Sequence, residues 1–275
     1  ALDANTTARF NTAVGHLALS ANTTAEANTG IGRTSLFANT TGASNTGCGC
    51  ATLENNTTGG QNNAFGHHAL DANTTGSSNC GFGVHALGAN TTASNNSAFG
   101  AAALLSNTTG NENTAVGANA HDSNTTGSFN VAIGLSAMGL ATTAGDSVSV
   151  GRGSLQALTT GSNNTGVGKD VGQSLTTGGS NVLVGRRAGS SITTASNNIC
   201  IGTAAGLGHI STSGDQLFIA RSNTGSGNAA TFIYGNSSGS LFQGSNSSSW
   251  STTSDQRLKK DIVTNTVGLS IIDNI

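Results

Sequence analysis

The pattern of hydrophobic and polar residues along this chain repeats every seventeen residues. With Asn11 as position one, the copy from Asn11 to Ala27 reads NTAVGHLALSANTTAEA, and position four is apolar and position five is Gly in every later copy. The first positions are Asn11, Asn28, Asn45, Asn62, Asn79, Asn96, Asn113, Asn130, Ser147, Asn164, Asn181 and Asn198. A repeat this short and this regular indicates a solenoid in which each copy is one coil stacked on the next.

Positions one to five predict a short strand, because a sequence such as Asn130 to Gly134 (NVAIG) alternates larger residues at positions two and four with a small one at position three. Positions two and four would share one face, with position three on the other. A coil of about 56 Å of contour, at roughly 3.3 Å per residue, has room for two strands and two turns. Gly at position five should end the first strand, and Asn-Thr-Thr-Gly at positions twelve to fifteen should form the second corner.

One core position is predicted to change partway along the rod. Position nine is large and apolar in most copies, with His121 as an exception, but is Gly in the last three copies. As it shrinks, position twelve changes from Asn to Leu158, Leu175 and Ile192. We expect one core slot to be filled first from position nine and later from position twelve.

Composition agrees with an ordered repeat rather than a disordered chain. The 275 residues include 40 Gly and no Pro, only 8% are charged, and the formal net charge is -2. No basic excess indicates nucleic acid, and no apolar run suggests membrane insertion. Cys48, Cys50, Cys80 and Cys200 are interpreted as small buried hydrophobic residues, two of them at core-type positions. Because the chain opens inside a repeat, we expect it to be part of a longer polypeptide.

Burial within a single coil is too small to offset chain ordering, so the sequence predicts a homo-oligomer. Each coil buries two or three sizeable apolar side chains, worth roughly 1.5 to 3 kcal/mol each, whereas each ordered residue costs about 1 to 2 kcal/mol. The column of mostly Ala or Gly at position three, as in Ala13 and Gly30, is the expected contact with another chain. The open alternative is that this column lines a thin core.

The repeat fades after Gly202, which predicts a change of architecture. Three short strands separated by Gly, Ser and Asn turns are predicted here, at residues 216–220, 231–235 and 240–243. We expect a β-rich neck that covers the last coil. The predicted domains are a solenoid at 1–202, a neck at 203–253 and a distinct C-terminal segment from 254 to 275.

That C-terminal segment has its own motif. The sequence SDQRLKKDI at 254–262, with WSTT before it, resembles the start of the intramolecular chaperone of endosialidase-type bacteriophage tail spikes and fibres. In that family the segment trimerises, guides folding of the fibre and then cuts itself off. The resemblance implies Ser254 as nucleophile, Lys259 as its general base and cleavage between Thr253 and Ser254. A nearby, partly desolvated Lys is a chemically reasonable base for a Ser hydroxyl.

The repeats carry a second resemblance. The motif NVAIG at 130–134 is similar to the coils in the β-roll heads of trimeric autotransporter adhesins. Together the two resemblances imply a homotrimeric β-solenoid fibre on a virion tail, which contacts other tail proteins and binds a host-surface receptor such as a glycan or an outer-membrane component. The implied location is the virion and extracellular space, or a bacterial cell surface.

Three other functions are weighed against the fibre. A bacterial surface adhesin of similar build fits the same pattern. Ice binding is suggested by the Thr columns at positions thirteen and fourteen, but adjacent Thr residues in an extended chain would leave one outward Thr per coil. An enzyme is disfavoured because the 12 acidic residues are scattered. The sequence predicts no cofactor and no metal, and His16, His67, His68 and His85 are interpreted as surface variation.

Overall fold

The computed structural model describes residues 1–208, 212–220 and 231–243. Within these residues the chain contains strands and turns but no helix, and one sheet of fifteen strands follows the order of the chain. The strands are β1 Thr12–Val14, β2 Thr29–Ile31, β3 Thr46–Cys48, β4 Asn63–Phe65, β5 Cys80–Phe82, β6 Ser97–Phe99, β7 Thr114–Val116, β8 Val131–Ile133, β9 Val148–Val150, β10 Thr165–Val167, β11 Val182–Val184, β12 Ile199–Ile201, β13 Leu217–Ala220, β14 Thr231–Gly235 and β15 Leu241–Gln243.

Each coil contributes one strand, and β1 to β12 pair in parallel with an offset of seventeen residues, as in Thr12↔Thr29. This confirms the all-β solenoid of 17-residue coils. The predicted second strand per coil is wrong. Non-Gly residues at positions seven, nine and seventeen have φ between 49° and 62°, and these left-handed residues bend the chain before a second strand can form. Backbone bonds still join the turns of adjacent coils, as from Leu19 N to Ser35 O at 3.0 Å.

The strands turn position three into the coil, which corrects the predicted contact surface. Ala98, Ala115 and Ala132 are fully buried in their own coils. Position three must be small because position nine lies opposite: a Cβ on Gly30 would be 3.3 Å from Leu19 Cγ. The small column therefore lines a thin core, and positions two and four are left on the outside.

The predicted change of core position is confirmed. The large residues at position nine, such as Leu19, are fully buried, and so are Leu158, Leu175 and Ile192 at position twelve. A Cβ on Gly172 would lie only 2.7 Å from Leu155 Cδ2 and 2.8 Å from a methyl group of Leu183, so the slot is already occupied. The Gly residues at position nine make room for larger side chains at positions twelve and three.

Two ladders of buried Asn side chains hold the coils in register. At position one, Asn62 Nδ2 donates to Gly76 O at 2.9 Å, and Asn62 Oδ1 accepts from Asn79 N at 3.0 Å in the next coil. At position twelve, Asn73 Nδ2 donates to Gly76 O at 2.9 Å and to Asn56 Oδ1 at 2.7 Å. The predicted second corner is thus closed by buried side chains, and its Asn and Gly residues do not use positive φ.

The sheet continues past residue 202. Strand β13 pairs in parallel with β12, and Gln216 N donates to Asn198 Oδ1 at 3.1 Å, so this coil has one extra residue. Strands β14 and β15 then add in antiparallel, and Phe218 packs against Tyr234 with ring centroids 4.9 Å apart. The three strands predicted here are confirmed. The division into a solenoid, a neck and a C-terminal segment stays a prediction.

Candidate functional site

The outer face of the sheet carries a continuous apolar column at position four. Successive side chains of a strand point to opposite faces, so the inward position three forces positions two and four outward. All twelve position-four residues are apolar, and none of them is buried. They are Val14, Ile31, Cys48, Phe65, Phe82, Phe99, Val116, Ile133, Val150, Val167, Val184 and Ile201. We call this column, with the position-two residues beside it, the outer strip.

The Val, Ile and Phe side chains of the outer strip are unusually exposed for large apolar residues. Val14 is 58% exposed, and Ile31, Ile133 and Ile201 are 40%, 38% and 39% exposed. Near the middle of the rod three phenylalanines stack on one another outside the coil. The ring centroids of Phe65 and Phe82 are 4.6 Å apart, and Phe82 and Phe99 follow at 5.1 Å.

The outer strip becomes more apolar toward its C-terminal end. Position two is mainly Thr, Asn or Ser in the first seven coils and is often Val or Ile from Val131 onward. Val148, Val182 and Ile199 are 37%, 38% and 41% exposed. The strip therefore widens from one apolar column to two, and Leu217 and Ile219 of β13 continue it.

Simple geometry gives the dimensions of the outer strip. Thirteen parallel strands at about 4.8 Å make it about 58 Å long, and its position-two and position-four columns lie about 7 Å apart. An exposed, contiguous apolar surface on a soluble protein is often an interaction site. A straight strip with one apolar group per coil is suited to a partner that has the same spacing.

The residues implied in self-cleavage, Thr253, Ser254 and Lys259, lie outside the described residues, so their roles stay predictions. The histidines predicted as surface variation are indeed not buried. His68 Nδ1 is 2.7 Å from Asp71 Oδ2, and its ring stacks on His85 with centroids 5.3 Å apart. Across the described ranges, no three His, Cys, Asp or Glu side chains gather as a metal site would require.

Burial changes the chemistry of two other groups. His121 occupies the core position nine, and desolvation lowers the pKa of its imidazole from 6.5 to about 4, opposed by a backbone bond with Met138. Burial likewise raises the pKa of the Cys200 thiol to about 12. Cys200 is the buried thiol among the four free cysteines and the other three are half-buried, so the interpretation as buried hydrophobic residues is wrong for Cys48, Cys50 and Cys80. The other three lie at positions two, four and six, which face outward.

The Thr columns leave one outward hydroxyl per coil, as the sequence predicts. At position thirteen the hydroxyl is occupied between coils: Thr74 Oγ1 donates to Thr91 O at 3.0 Å. At position fourteen the residue, such as Thr75, is exposed. A single outward rank does not provide the paired ranks expected of an ice-binding surface.

The outer strip was not evident from the sequence. Alternation alone says that positions two and four face away from position three, but it does not say which side is the core. The usable signal was the complementary size of positions three and nine: position three is small where position nine is large, and Leu183 appears at position three where position nine is Gly, since both have to fit inside one thin coil.

Comparison with protein-family models, curated proteins and solved structures found no match to this chain. In the parts of the chain that the structure describes, no helix has the length and hydrophobicity needed to cross a membrane.

Proposed function

We propose that this chain is the shaft of a homotrimeric attachment fibre and that the outer strip is the contact between its copies. The observation that carries the proposal is the unbroken apolar column at position four, exposed in coil after coil. Apolar surface on this scale is stabilised by being covered. Each copy would cover the strip of its neighbours along the whole rod.

A second and third copy of this chain are the best-matched occupants. Their strips have the same spacing of about 4.8 Å per coil, so contacts made in one coil are repeated in every other coil. The strip is most apolar at β12 and β13, the part of it that is closest in sequence to the C-terminal segment. That segment resembles a trimerising chaperone, and the choice of three copies over two comes from this resemblance.

The energy of covering the strip is comparable to the cost of association. Fully burying a Val, Ile or Phe side chain is worth about 1.5 to 3 kcal/mol, so covering a side chain that is 38% to 40% exposed gives about 0.6 to 1.2 kcal/mol. Summed over the seven position-four side chains that are at least 36% exposed, this is about 4 to 8 kcal/mol per copy. Association costs about 4 to 15 kcal/mol, so the strip can offset it when the contact is continuous.

In this proposal the fibre belongs to a virion tail and attaches the particle to a host-surface receptor, either a glycan or an outer-membrane component. Its N-terminal side would join other tail proteins. Ser254, with Lys259 as general base, would release the C-terminal chaperone by cutting after Thr253 once the trimer has formed. A bacterial surface adhesin of the same build is the alternative, because the outer strip supports both equally.

The test is to express the full-length gene product with and without Ser254→Ala and to measure its intact mass, its native mass and its shape by electron microscopy. The proposal expects a cut before Ser254 that disappears in the variant. It also expects a trimeric particle with a straight solenoid segment about 60 Å long, from thirteen coils at about 4.8 Å.

An uncut, monomeric product would contradict both parts of the proposal. A trimer that stays uncut would retain the fibre and remove the chaperone role of Ser254 and Lys259. If trimers carry a membrane anchor elsewhere in the gene product, the adhesin replaces the tail fibre.

A further inference from the structure

A cavity of about 310 Å³ opens on the turn that follows the strand in the C-terminal half of the rod. It is lined by Leu135, Ser136, Arg152, Gly153, Gln156, Asp170 and Gln173. These residues come from three successive coils, at positions six, seven and ten. The cavity is lined by none of the residues of the outer strip.

The cavity exists because one coil lacks a side chain at position seven. Gly153 has φ +61°, the left-handed backbone that other residues adopt at this position, such as Asn119 with φ 52°. A Cβ placed on Gly153 would lie 2.9 Å from Asp170 Oδ1 and 3.4 Å from Gln156 Oε1. A carboxylate oxygen and an amide oxygen therefore converge on the space left by the missing side chain.

A column of cations borders this cavity. Within residues 1–208 there are six Lys and Arg residues, and four of them lie in three adjacent coils: Arg152, Lys169, Arg186 and Arg187. All four are exposed. Backbone bonds hold the column in register, from Asp170 N to Arg152 O at 2.9 Å and from Arg187 N to Lys169 O at 3.0 Å.

The charges of this column are mostly available to a ligand. Lys169 Nζ lies 3.8 Å from Asp170 Oδ2, with the lysine side chain 49% exposed, so one of the four cations has a weak acidic neighbour. Arginine guanidinium groups bind carboxylates in a bidentate manner and remain charged at every physiological pH. The spacing of about 4.8 Å between coils would present them to an extended polymer with regularly spaced anionic groups.

We infer that this cavity and the cation column bind an anionic polysaccharide, with one sugar unit in the Gly153 cavity and its carboxylates on Arg152 and Arg186. The amides of Gln156 and Gln173 and the carboxylate of Asp170 can exchange hydrogen bonds with sugar hydroxyl groups. The inference deepens the proposed attachment function and rests on it, since it names the chemistry of the receptor.

The residues of the cavity favour a sugar polymer over a nucleic acid. None of the cavity-lining residues is aromatic, so no base could stack there. Asp170 can accept hydrogen bonds from the hydroxyl groups that lie between the carboxylates of a uronate polymer, whereas a DNA phosphate backbone offers it no such donors. The cavity volume lies at the lower end of the range for small-ligand sites, which suits a single sugar unit.

The test measures binding of the purified chain to polygalacturonate, with neutral dextran and double-stranded DNA as comparison ligands. Two variants alter the site: Gly153→Asn fills the cavity without changing charge, and Arg152→Gln with Arg186→Gln removes two cations. Arg33→Gln is the matched control, because Arg33 occupies position six in a coil with no cationic Lys or Arg next to it. Asn at position seven is compatible with the backbone, as Asn119 demonstrates.

The unaltered chain should bind polygalacturonate at least about tenfold more tightly than dextran or DNA, the scale of one charge-assisted contact. Gly153→Asn and the double arginine variant should each weaken this binding by about tenfold or more, while Arg33→Gln stays within about twofold. Equal binding of DNA, an unchanged Gly153→Asn variant or an equal loss in Arg33→Gln would overturn the inference. If the chain is monomeric but binds polygalacturonate, only the proposed trimer is wrong. If the chain is trimeric but does not bind polygalacturonate, only this inference is wrong.

Discussion

Replacing His121 with leucine should stabilise the solenoid and remove much of its sensitivity to mild acid. His121 occupies position nine, where the preceding copies carry leucine, as at Leu104. Its side chain is fully buried, its Nε2 has no hydrogen-bond partner, and its Nδ1 lies 3.5 Å from Met138 O. A polar ring in this slot therefore gains little to offset its loss of water.

The magnitude at neutral pH follows from the unpartnered nitrogen. Leaving a buried polar group without a partner costs about 1 to 3 kcal/mol. Leucine removes that cost and fits a slot that holds Leu104 in the preceding copy and Met138 in the next. We expect the free energy of unfolding of His121→Leu to exceed that of the wild type by about 1 to 3 kcal/mol at pH 7.5.

The second part of the prediction concerns pH. Because the pKa of His121 is lowered from 6.5 to about 4 in the folded state, the unfolded state binds more protons between these values. The contribution of the neutral ring is fully present above pH 6.5 and is lost as the pH falls toward 4. At pH 4.5 the wild type should have lost about 2.5 kcal/mol relative to pH 7.5, since one pKa unit corresponds to about 1.4 kcal/mol.

The assay is chemical denaturation of the wild type, His121→Leu and His16→Gln at pH 7.5 and 4.5, at equal protein concentrations. His16 is exposed and serves as the control for loss of an imidazole. Desolvation raises the pKa of the neighbouring Asp122, which acts with the opposite sign, but that effect is common to all three proteins. The gap between His121→Leu and the wild type should widen at pH 4.5. A less stable His121→Leu at pH 7.5, or a gap that stays constant, would refute the reasoning.

Three further substitutions and one control, Gly60→Ala, test the packing of the coils by thermal and chemical unfolding. Gly117→Ala should cost more than about 3 kcal/mol, because φ is +129° and the new Cβ would lie 2.8 Å from backbone of the next coil; Gly60→Ala, at a position where another coil has Ala, should change little. Gly172→Leu should cost about 1 to 3 kcal/mol by overfilling the slot held by Leu155. Asn73→Ala should cost about 1 to 3 kcal/mol by breaking the Asn ladder. A change in the free energy of unfolding of less than about 0.5 kcal/mol in Gly117→Ala, Gly172→Leu or Asn73→Ala would contradict these packing arguments.

Much of the fold could be predicted from the sequence because the period is strict. Seventeen residues per coil, the all-β class and the exchange between Leu155 at position nine and Leu175 at position twelve all follow from columns of residue types. The three strands after residue 202 were also visible, because short apolar runs such as TFIYG are bounded by turn residues.

Other features could not be obtained from residue types. The residue type of Leu19 and Leu36 gives no sign of a left-handed backbone. These residues nevertheless have φ of 50° and 54° and help to bend the coil. The buried role of Asn73 is equally hidden, because Asn before Thr-Thr-Gly is also typical of an exposed turn. Such residues are fixed by contacts between coils, which a single repeat does not contain.

The candidate site was predicted least well. The sequence suggested position three as the contact face, whereas Ala98 is buried and Phe99 is 42% exposed. The cavity at Gly153 depends on the absence of a side chain in one coil, and its partners Gln156 and Asp170 are separated by fourteen residues. Only stacking of the coils brings these groups together.

The most direct test of the central claim is sedimentation equilibrium of the wild type, Ile133→Glu and Leu140→Glu. Ile133 lies on the outer strip and is 38% exposed, while Leu140, in the same coil, is 54% exposed on another face. Each variant adds one carboxylate to the same coil, on the outer strip in Ile133→Glu and away from the strip in Leu140→Glu. Assembly through the strip predicts a trimer for the wild type and Leu140→Glu but dissociation of Ile133→Glu. A monomeric wild type, or an Ile133→Glu variant that remains trimeric, would contradict the account.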